Sequence, residues 1–152
     1  MDKVVIFGGS GFIGAEICNA LSNKTKSKVF CADNYSRNEQ KQNINNNVEH
    51  LKCDITNEQA VLDACKNADI VVNLAFINGT ANFYSRPRDV FKVALEGQLN
   101  VIKAISKTNV RRFIYASSSE VYQTPKEVPT TENVQLVIPD INNPRYSYGG
   151  GK

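Results

Sequence analysis

Short apolar stretches rich in β-branched residues alternate along the chain with stretches in which apolar residues recur at helical spacing. Five of the apolar stretches predict strands, at residues 4–7, 28–32, 48–52, 70–74 and 112–116. The fourth is almost wholly apolar, as expected of a parallel strand covered on both faces. Strands that alternate with helices predict an α/β fold with a doubly wound parallel sheet and right-handed crossovers.

Three stretches have helical spacing: residues 15–21, a segment that begins at Thr56 or Asn57 and ends near Cys65, and residues 87–108. The long helix has apolar residues on more than one side. One side covers the sheet, and the apolar residues on its other sides are left for a second contact. We interpret this surplus as a homodimer interface; the alternative is burial by later residues of a longer chain. Polar or proline-rich composition predicts loops at residues 34–47, 77–85 and 123–143.

A glycine-rich turn, Gly8-Gly9-Ser10-Gly11-Phe12-Ile13-Gly14, joins the first strand to the first helix. Gly8 suits the tight turn, Gly11 allows backbone to approach a pyrophosphate, and Gly14 allows the helix to pack closely on its strand. The N–H groups at the helix start then face the phosphates. In this strand–turn–helix context the pattern predicts a dinucleotide site; the alternative is a purely structural turn.

Acidic residues stand where the second and third predicted strands end. Asp33 lies about 20 residues beyond the glycines, where a carboxylate hydrogen-bonds the adenosine ribose of NAD and repels the 2′-phosphate of NADP. Arg37 leaves the opposite preference open, because an arginine just past this strand can bind a 2′-phosphate. Asp54 either accepts from the adenine amino group or is a loop acid. Ala75, small and at a strand end, is compatible with a cofactor lying against the backbone.

The composition of the chain limits the classes of partner and site that we expect. The 152 residues fit one domain, with 41% hydrophobic and 22% charged residues. The net charge is +3 with scattered basic residues, so no nucleic-acid partner is expected. Four separate cysteines and a single histidine predict free thiols and no metal site. No signal peptide or membrane span is visible, and we expect a cytoplasmic protein.

Tyr148 and Lys152 are four residues apart, one helical turn on the same face. Tyrosine is a poor base at its ordinary pKa of about 10. A cation about 4 Å away in a partly dry site supplies about 4 kcal/mol toward a phenolate. The pair follows a serine run, residues 117–119, at the end of the fifth predicted strand. Together they predict an acid–base site at the sheet edge where the other candidate residues lie.

These features resemble the extended short-chain dehydrogenase/reductase family of NAD-dependent nucleotide-sugar epimerases and dehydratases, over all 152 residues. The resemblance rests on Gly8-x-x-Gly11-x-x-Gly14, Asp33-Asn34, Asp54-Ile55, Asn73-Leu74-Ala75, Ser117-Ser118-Ser119-Glu120-Val121-Tyr122 and Tyr148-Gly149-x-x-Lys152. It implies a Rossmann-type sheet of strand order 3-2-1-4-5, NAD as cofactor and a UDP- or GDP-sugar as substrate. The implied cofactor-binding residues are Gly8, Gly11, Phe12, Ile13, Gly14, Asp33, Asn34, Asp54, Ile55, Leu74, Ala75, Tyr148 and Lys152.

The resemblance also implies catalytic roles. Tyr148 removes the proton of the sugar 4-hydroxyl while hydride passes to NAD, Lys152 supports the phenolate and the nicotinamide ribose, and Ser118 hydrogen-bonds the 4-oxygen. Glu120 resembles the extra acid/base of 4,6-dehydratases and sugar-acid decarboxylases; the alternative is a surface residue. The Ser119-Glu120 pair is similar to that of GDP-mannose dehydratases and UDP-glucuronate decarboxylases.

Two positions depart from the family pattern: Ala94 replaces the usual asparagine of the long helix, and Gly151 replaces the usual serine before Lys152. Three successive glycines before Lys152 predict a turn that is soft or packs very close to something. The sequence stops at Lys152, before the substrate lobe of the family, so we expect an incomplete NAD-binding domain. Two other classes stay open: a non-catalytic NAD-binding module, and a half-protein completed by self-association.

Overall fold

The computed structural model describes residues 1–37 and 44–152, and five parallel strands form one sheet in it. The strand order β3-β2-β1-β4-β5 confirms the predicted topology. Each strand lies within about one residue of its predicted bounds. The strands are β1 (Lys3–Phe7), β2 (Lys28–Asp33), β3 (Glu49–Lys52), β4 (Ile70–Asn73) and β5 (Arg112–Tyr115).

Six α-helices accompany the strands among the described residues. They are α1 (Phe12–Lys24), α2 (Glu58–Cys65), α3 (Thr80–Ser85), α4 (Pro87–Phe91), α5 (Gln98–Ser106) and α6 (Ser147–Gly150). A π-helical segment (Lys92–Gly97) connects α4 to α5, and two 3₁₀ turns span Ser119–Val121 and Pro144–Tyr146. The chain divides into a first unit, Met1–Ala75 with Glu96–Ala116, and a second unit, Phe76–Leu95 with Ser117–Lys152.

The register of the sheet in the first unit aligns the carboxyl ends of its strands. Phe7 is paired with Ala32 of β2 and with Asn73 of β4. Asp33 follows Ala32 and Leu74 follows Asn73, so both lie at the same edge of the sheet as Gly8. The sheet is held by buried apolar residues between β1, its neighbours and α1: Val4, Ile6, Cys18, Val29, Cys31, Val48 and Val72.

Helix α2 begins as predicted, because the Asn57 side chain accepts a hydrogen bond from the N–H of Ala60 (3.0 Å). Helix α5 packs against α2. The buried Asn100 side chain of α5 donates to the carbonyl of Ile55 (3.0 Å), so the chain between β3 and α2 is tied to α5.

The second unit has its own small core. Phe83, Val90 and Tyr148 are buried there, with Phe76 and Ile77 packed against them. Residues 123–143 contain no helix or strand, as their polar and proline-rich sequence predicts.

Two predictions about secondary structure were wrong. Residues 77–85 are not all loop, because α3 forms at Thr80–Ser85, where Phe83 is buried in the core of the second unit. One buried aromatic in six residues gives no helical period, so only the tertiary contact reveals this helix. The long helix is not a uniform α-helix either, because the π-helical segment interrupts it. The loop predicted at 34–47 lies partly outside the described residues.

The sheet core predicts a large difference between two isoleucines on strands. Ile6 of β1 is 0% exposed and Ile114 of β5 is 47% exposed. Ile6→Ala should lower the free energy of unfolding by about 2–5 kcal/mol, because it leaves a cavity in a core that cannot collapse fully. The matched change Ile114→Ala should cost less than half as much. Urea denaturation of both variants measures the difference, and equal losses would contradict the central position of β1.

Candidate functional site

The glycine turn between β1 and α1 is shaped by contacts that exclude side chains. Gly8 has φ of +75°, and a Cβ there would lie 2.7 Å from the amide nitrogen of Ala75. A Cβ on Gly14 would overlap the carbonyl oxygen of Gly8 and lie 2.7 Å from the Cα of Gly9. Gly8 therefore permits the turn and Gly14 permits helix α1 to reach it, as their positions in the motif predict.

Gly11 differs from these two glycines. Within the described part of the chain, a Cβ at Gly11 would have one neighbour within 4 Å, the Gly8 carbonyl oxygen at 3.3 Å. The N-cap residue of α1 is Gly11, which has no side chain to cap the helix, and the side chains of Phe12 and Ile13 are exposed. The first N–H groups of this 13-residue helix have no partner within the helix. A side chain at position 11 would reduce the space in front of them. An anion is the chemical group that such a helix start favours.

Asp33 is held against the glycine turn. Its carboxylate accepts from the N–H of Ser10 (3.0 Å) through Oδ2 and from the N–H of Tyr35 (2.8 Å) through Oδ1. Each carboxylate oxygen has a second lone pair, so the group can still accept from a ligand hydroxyl. The exposed side chain of Arg37 has no hydrogen bond or ion pair to the residues that the structure describes.

Asp54 has local partners that support its interpretation as a loop acid. Its Oδ1 accepts from the N–H and the hydroxyl of Thr56 (2.9 and 2.7 Å), and its Oδ2 accepts from the Asn34 side chain (2.9 Å). Ile55 is buried, and its Cδ1 would lie 2.5 Å from a Cβ on Gly97. The structure thus brings the side chains of Asn34 and Asp54 together. The Ile55 side chain instead packs on Gly97, the last residue of the π-helical segment.

Leu74 and Ala75 form the other side of the turn at Gly8. The N–H of Leu74 donates to the carbonyl of Phe7 (2.9 Å), and that of Ala75 donates to the side chain of Asn73 (3.1 Å). Asn73 is 1% exposed and also donates to Gln98 (2.7 Å). Sequence reasoning assigned Asn73 no role of its own, although an amide that ends an apolar strand is a signal for one.

In the second unit, Tyr148 is 8% exposed and packs between two phenylalanines. Its ring meets Phe76 edge-on, with 4.9 Å between centroids, and stacks on Phe83 at 5.1 Å. The Lys152 amine lies 4.4 Å from the Phe76 centroid and 5.9 Å from that of Tyr148. Burial lowers the pKa of Lys152 to about 8. Tyr148 and the Lys152 amine thus both lie against the Phe76 ring. No role was predicted for Phe76 or Phe83 from the sequence.

The glycines before Lys152 are explained by close contacts, as the glycine run predicts. A Cβ on Gly149 would lie 2.6 Å from the carbonyl oxygen of Glu120 and 2.6 Å from the Gln123 amide nitrogen. A Cβ on Gly151 would lie 2.6 Å from the Cβ of Ala94. The turn that bears Tyr148 and Lys152 is therefore packed closely on two other segments of the second unit.

Ser118 and Glu120 lie beside this turn. The Ser118 hydroxyl accepts from the N–H of Glu120 (3.2 Å), capping the 3₁₀ turn at Ser119–Val121. The Glu120 carboxylate accepts from the Arg145 guanidinium (3.3 and 3.4 Å), and that group also lies 5.9 Å from the centroid of Phe83. Sequence reasoning missed Arg145, because only the fold reveals its pairing with a residue 25 positions away.

Glu120 and Arg145 line a polar cavity of about 450 Å³ in the second unit. Hydroxyl groups dominate its wall, so the cavity can hydrogen-bond a hydroxyl-rich ligand. Its lining residues are Ser119, Glu120, Tyr122, Gln123, Thr124, Pro125, Thr130, Arg145 and Tyr146.

Residues 1–37 and 44–152 contain neither a cluster of metal-binding side chains nor a helix suited to a membrane. No three histidine, cysteine or acidic side chains in these ranges are grouped so that they could hold a metal ion. No helix within the same ranges has the length and apolar character needed to cross a bilayer.

The model of the NAD dependent epimerase/dehydratase family matches residues 4–152, which confirms the resemblance drawn from the motifs. The bifunctional UDP-glucose 4-epimerase and UDP-xylose 4-epimerase 1 of Pisum sativum is 25% identical over 146 residues, 88% of this chain and 41% of that protein. The bifunctional polymyxin resistance protein ArnA of Wigglesworthia glossinidia brevipalpis is 32% identical over 166 residues, 100% of this chain and 23% of that protein.

A solved structure is similar over the same range. The UDP-glucose 4-epimerase from Bifidobacterium longum, determined in complex with NAD⁺ and UDP, superposes with a TM-score of 0.84 and 29% identity. The match covers 99% of this chain and 45% of that one. The chain therefore spans less than half the length of the proteins it resembles.

The glycine contacts predict opposite outcomes for two alanine substitutions. Gly14→Ala places a methyl group on the carbonyl oxygen of Gly8 and should lower the free energy of unfolding by about 1–3 kcal/mol or more, since neither backbone can move freely. Gly11→Ala meets one contact at 3.3 Å and should cost less. Urea denaturation measures both. A Gly14→Ala variant as stable as the wild type would show that α1 does not depend on this approach.

Proposed function

The chain belongs to the NAD dependent epimerase/dehydratase family, and from that premise we propose that it takes part in NAD-dependent modification of a nucleotide sugar through a transient 4-keto sugar. The observation that carries the proposal is the pair Tyr148 and Lys152 against one aromatic ring, Phe76. A buried phenol beside an amine is suited to moving a proton to and from a substrate hydroxyl. We propose a UDP- or GDP-sugar as the substrate, and the names of the relatives favour UDP.

NAD fits the first unit, because the open position at Gly11 and the uncapped start of α1 leave room and N–H groups for a pyrophosphate. NAD supplies a hydride acceptor for oxidation at the sugar C4 and a hydride donor for the return. We propose that Gly8, Gly11 and Gly14 shape the phosphate site, that the N–H groups of Phe12 and Ile13 contact it, and that Asp33 accepts from the adenosine ribose. The remaining proposed contacts are Asn34, Asp54, Ile55, Leu74 and Ala75.

Proton transfer is the proposed task of the second unit. Tyr148 takes the proton of the sugar 4-hydroxyl, and the Lys152 ammonium stabilises the phenolate. At a pKa of about 8, Lys152 is mostly protonated at pH 7 and loses its charge above that value. The Ser118 hydroxyl already accepts from the N–H of Glu120, so its own proton is available to hydrogen-bond the 4-oxygen.

Glu120 decides between subclasses of the reaction. Its carboxylate borders a hydroxyl-lined cavity, where it can serve as the additional acid/base of a dehydratase. The alternative within the same family is decarboxylation of a UDP-sugar acid, and the Arg145 guanidinium in the cavity wall favours it by offering a cation to a substrate carboxylate. A panel that contains both UDP-glucose and UDP-glucuronate separates the two.

We propose a homodimer through the stretch 87–108. Each unit contributes two large apolar side chains from this stretch, and each of these is between 42% and 54% exposed. A second copy would cover exposed apolar side chains of this kind. The residues are Phe91, Leu95, Leu99 and Ile102.

The cofactor proposal predicts a change in preference on substitution of Asp33. Asp33→Asn removes the charge that repels a 2′-phosphate, so NAD affinity should fall about tenfold, or about 1.4 kcal/mol, and the preference for NAD over NADP should narrow. Asp54→Asn is the matched control and should leave that preference unchanged, because Asp54 accepts from Thr56 and Asn34. Titration calorimetry with both dinucleotides measures the ratio. An Asp33→Asn variant with the wild-type ratio would exclude the ribose role.

The catalytic proposal is tested by Tyr148→Phe, which retains the ring between Phe76 and Phe83 and removes only the hydroxyl. Interconversion of UDP-glucose and UDP-galactose should fall about 10²–10⁴-fold, and the variant should still bind NAD. NMR of the sugar products measures turnover. Wild-type turnover in this variant refutes the role of Tyr148. NAD binding without turnover of UDP-glucose, UDP-galactose or UDP-glucuronate by the wild type instead supports a non-catalytic NAD-binding module.

A further inference from the structure

Ala94 of the π-helical segment and Gly151 beside Lys152 touch each other. A Cβ on Gly151 would lie 2.6 Å from the Cβ of Ala94, which is closer than real Cβ atoms approach. The same Cβ would lie 3.2 Å from the Ser147 carbonyl oxygen and 3.4 Å from the Cζ of Phe76. Ala94 is 3% exposed, so its methyl group is buried. The backbone at Gly151 thus rests directly on a methyl group, with no room for a second one.

This contact stands next to Lys152 in the chain. The Lys152 amine lies 4.4 Å from the centroid of Phe76, the same ring whose Cζ is near Gly151. Because Gly151 and Lys152 are consecutive, a side chain at position 151 must move the turn away from Ala94 and Phe76. That movement would carry the Lys152 amine away from Phe76 and from the Tyr148 ring, the titratable neighbour with which it shares Phe76.

We propose that Ala94 and Gly151 are positioning residues for Lys152: their contact seats the turn and sets how closely the lysine amine approaches Phe76 and Tyr148. The proposal rests on the proposed function, in which Lys152 is the cation that supports Tyr148 as a base. The two positions are sterically coupled, because the size of the side chain at either position limits the size at the other.

The neighbouring glycine provides a matched control. Among residues 1–37 and 44–152, a Cβ on Gly150 would meet only the Ile138 side chain, with Cδ1 at 3.2 Å and Cγ1 at 3.9 Å, and the end of that side chain can move. Gly150→Ala therefore adds the same methyl group one residue away without pressing on Ala94. Any general effect of stiffening the glycine run should appear in both variants, and an effect through Ala94 should appear in Gly151→Ala alone.

The test is the titration of Lys152, followed by the ¹³Cε chemical shift of the uniformly labelled chain and assigned by comparison with Lys152→Arg. Burial holds the wild-type pKa at about 8. In Gly151→Ala the amine moves toward water, and the pKa should rise toward its ordinary value of 10.5. In the double variant Ala94→Gly with Gly151→Ala, removal of the Ala94 methyl group makes room for the new methyl group at position 151. The turn then keeps its wild-type position, and the pKa of Lys152 should return to about 8. Ala94→Gly alone and Gly150→Ala should stay near 8.

Two results overturn the proposal: a Gly151→Ala variant that still titrates near 8, or a double variant that does not recover. If Gly151→Ala does not fold, Ala94→Ser applies the same pressure from the helix side, and an unchanged Lys152 titration there also overturns it. These measurements need neither cofactor nor substrate. Absence of NAD binding or of turnover therefore refutes the proposed function and leaves this result intact, whereas an unchanged titration refutes only the positioning role.

Discussion

The close approach of backbone to backbone at Gly8 and Gly14 is the constraint on which the first unit depends. A Cβ at Gly14 would overlap the carbonyl oxygen of Gly8, and one at Gly8 would meet the amide of Ala75. Helix α1 can reach the turn only because both side chains are absent. The turn then presents the uncapped helix start at the edge where Asp33 and Leu74 also emerge. Packing thus sets the position of the helix start, whose N–H groups are of the kind that favour an anion.

Glycines also allow a close approach of backbone in the second unit. Gly149 and Gly151 let one short turn pack on the Glu120 carbonyl and on the Ala94 methyl group. The turn thereby places Tyr148 between two phenylalanines and the Lys152 amine over one of them. Removal of water from the lysine lowers its pKa, because the charged form loses hydration that an aromatic face only partly replaces. A cation that is less well solvated interacts more strongly with a neighbouring phenolate.

The acidic residues of the chain differ in how their charge is satisfied, and this separates their proposed roles. Asp33 accepts from two backbone N–H groups and keeps lone pairs for a ligand. Asp54 accepts from Thr56 and Asn34, so its charge stabilises the turn before α2. Glu120 is paired with Arg145, so the cavity wall carries one negative and one positive group side by side. These three carboxylates thus have different surroundings, and the partners of each are consistent with a different proposed role.

The family resemblance implied the order of the strands, which the structure confirms. The sequence by itself determined the strands, the glycine turn, the acids at the strand ends and the spacing of Tyr148 and Lys152 by one helical turn. These features depend on period, on local turn chemistry and on residues near in sequence, so the pattern of side chains carries them. Only the tertiary structure decided that Phe83 makes α3 a helix, that Arg145 neutralises Glu120, that Phe76 is shared by Tyr148 and Lys152, and that Ala94 meets Gly151. Each of these joins residues far apart in the chain, and such a contact has no periodic signal because its free energy arises only after the segments have packed.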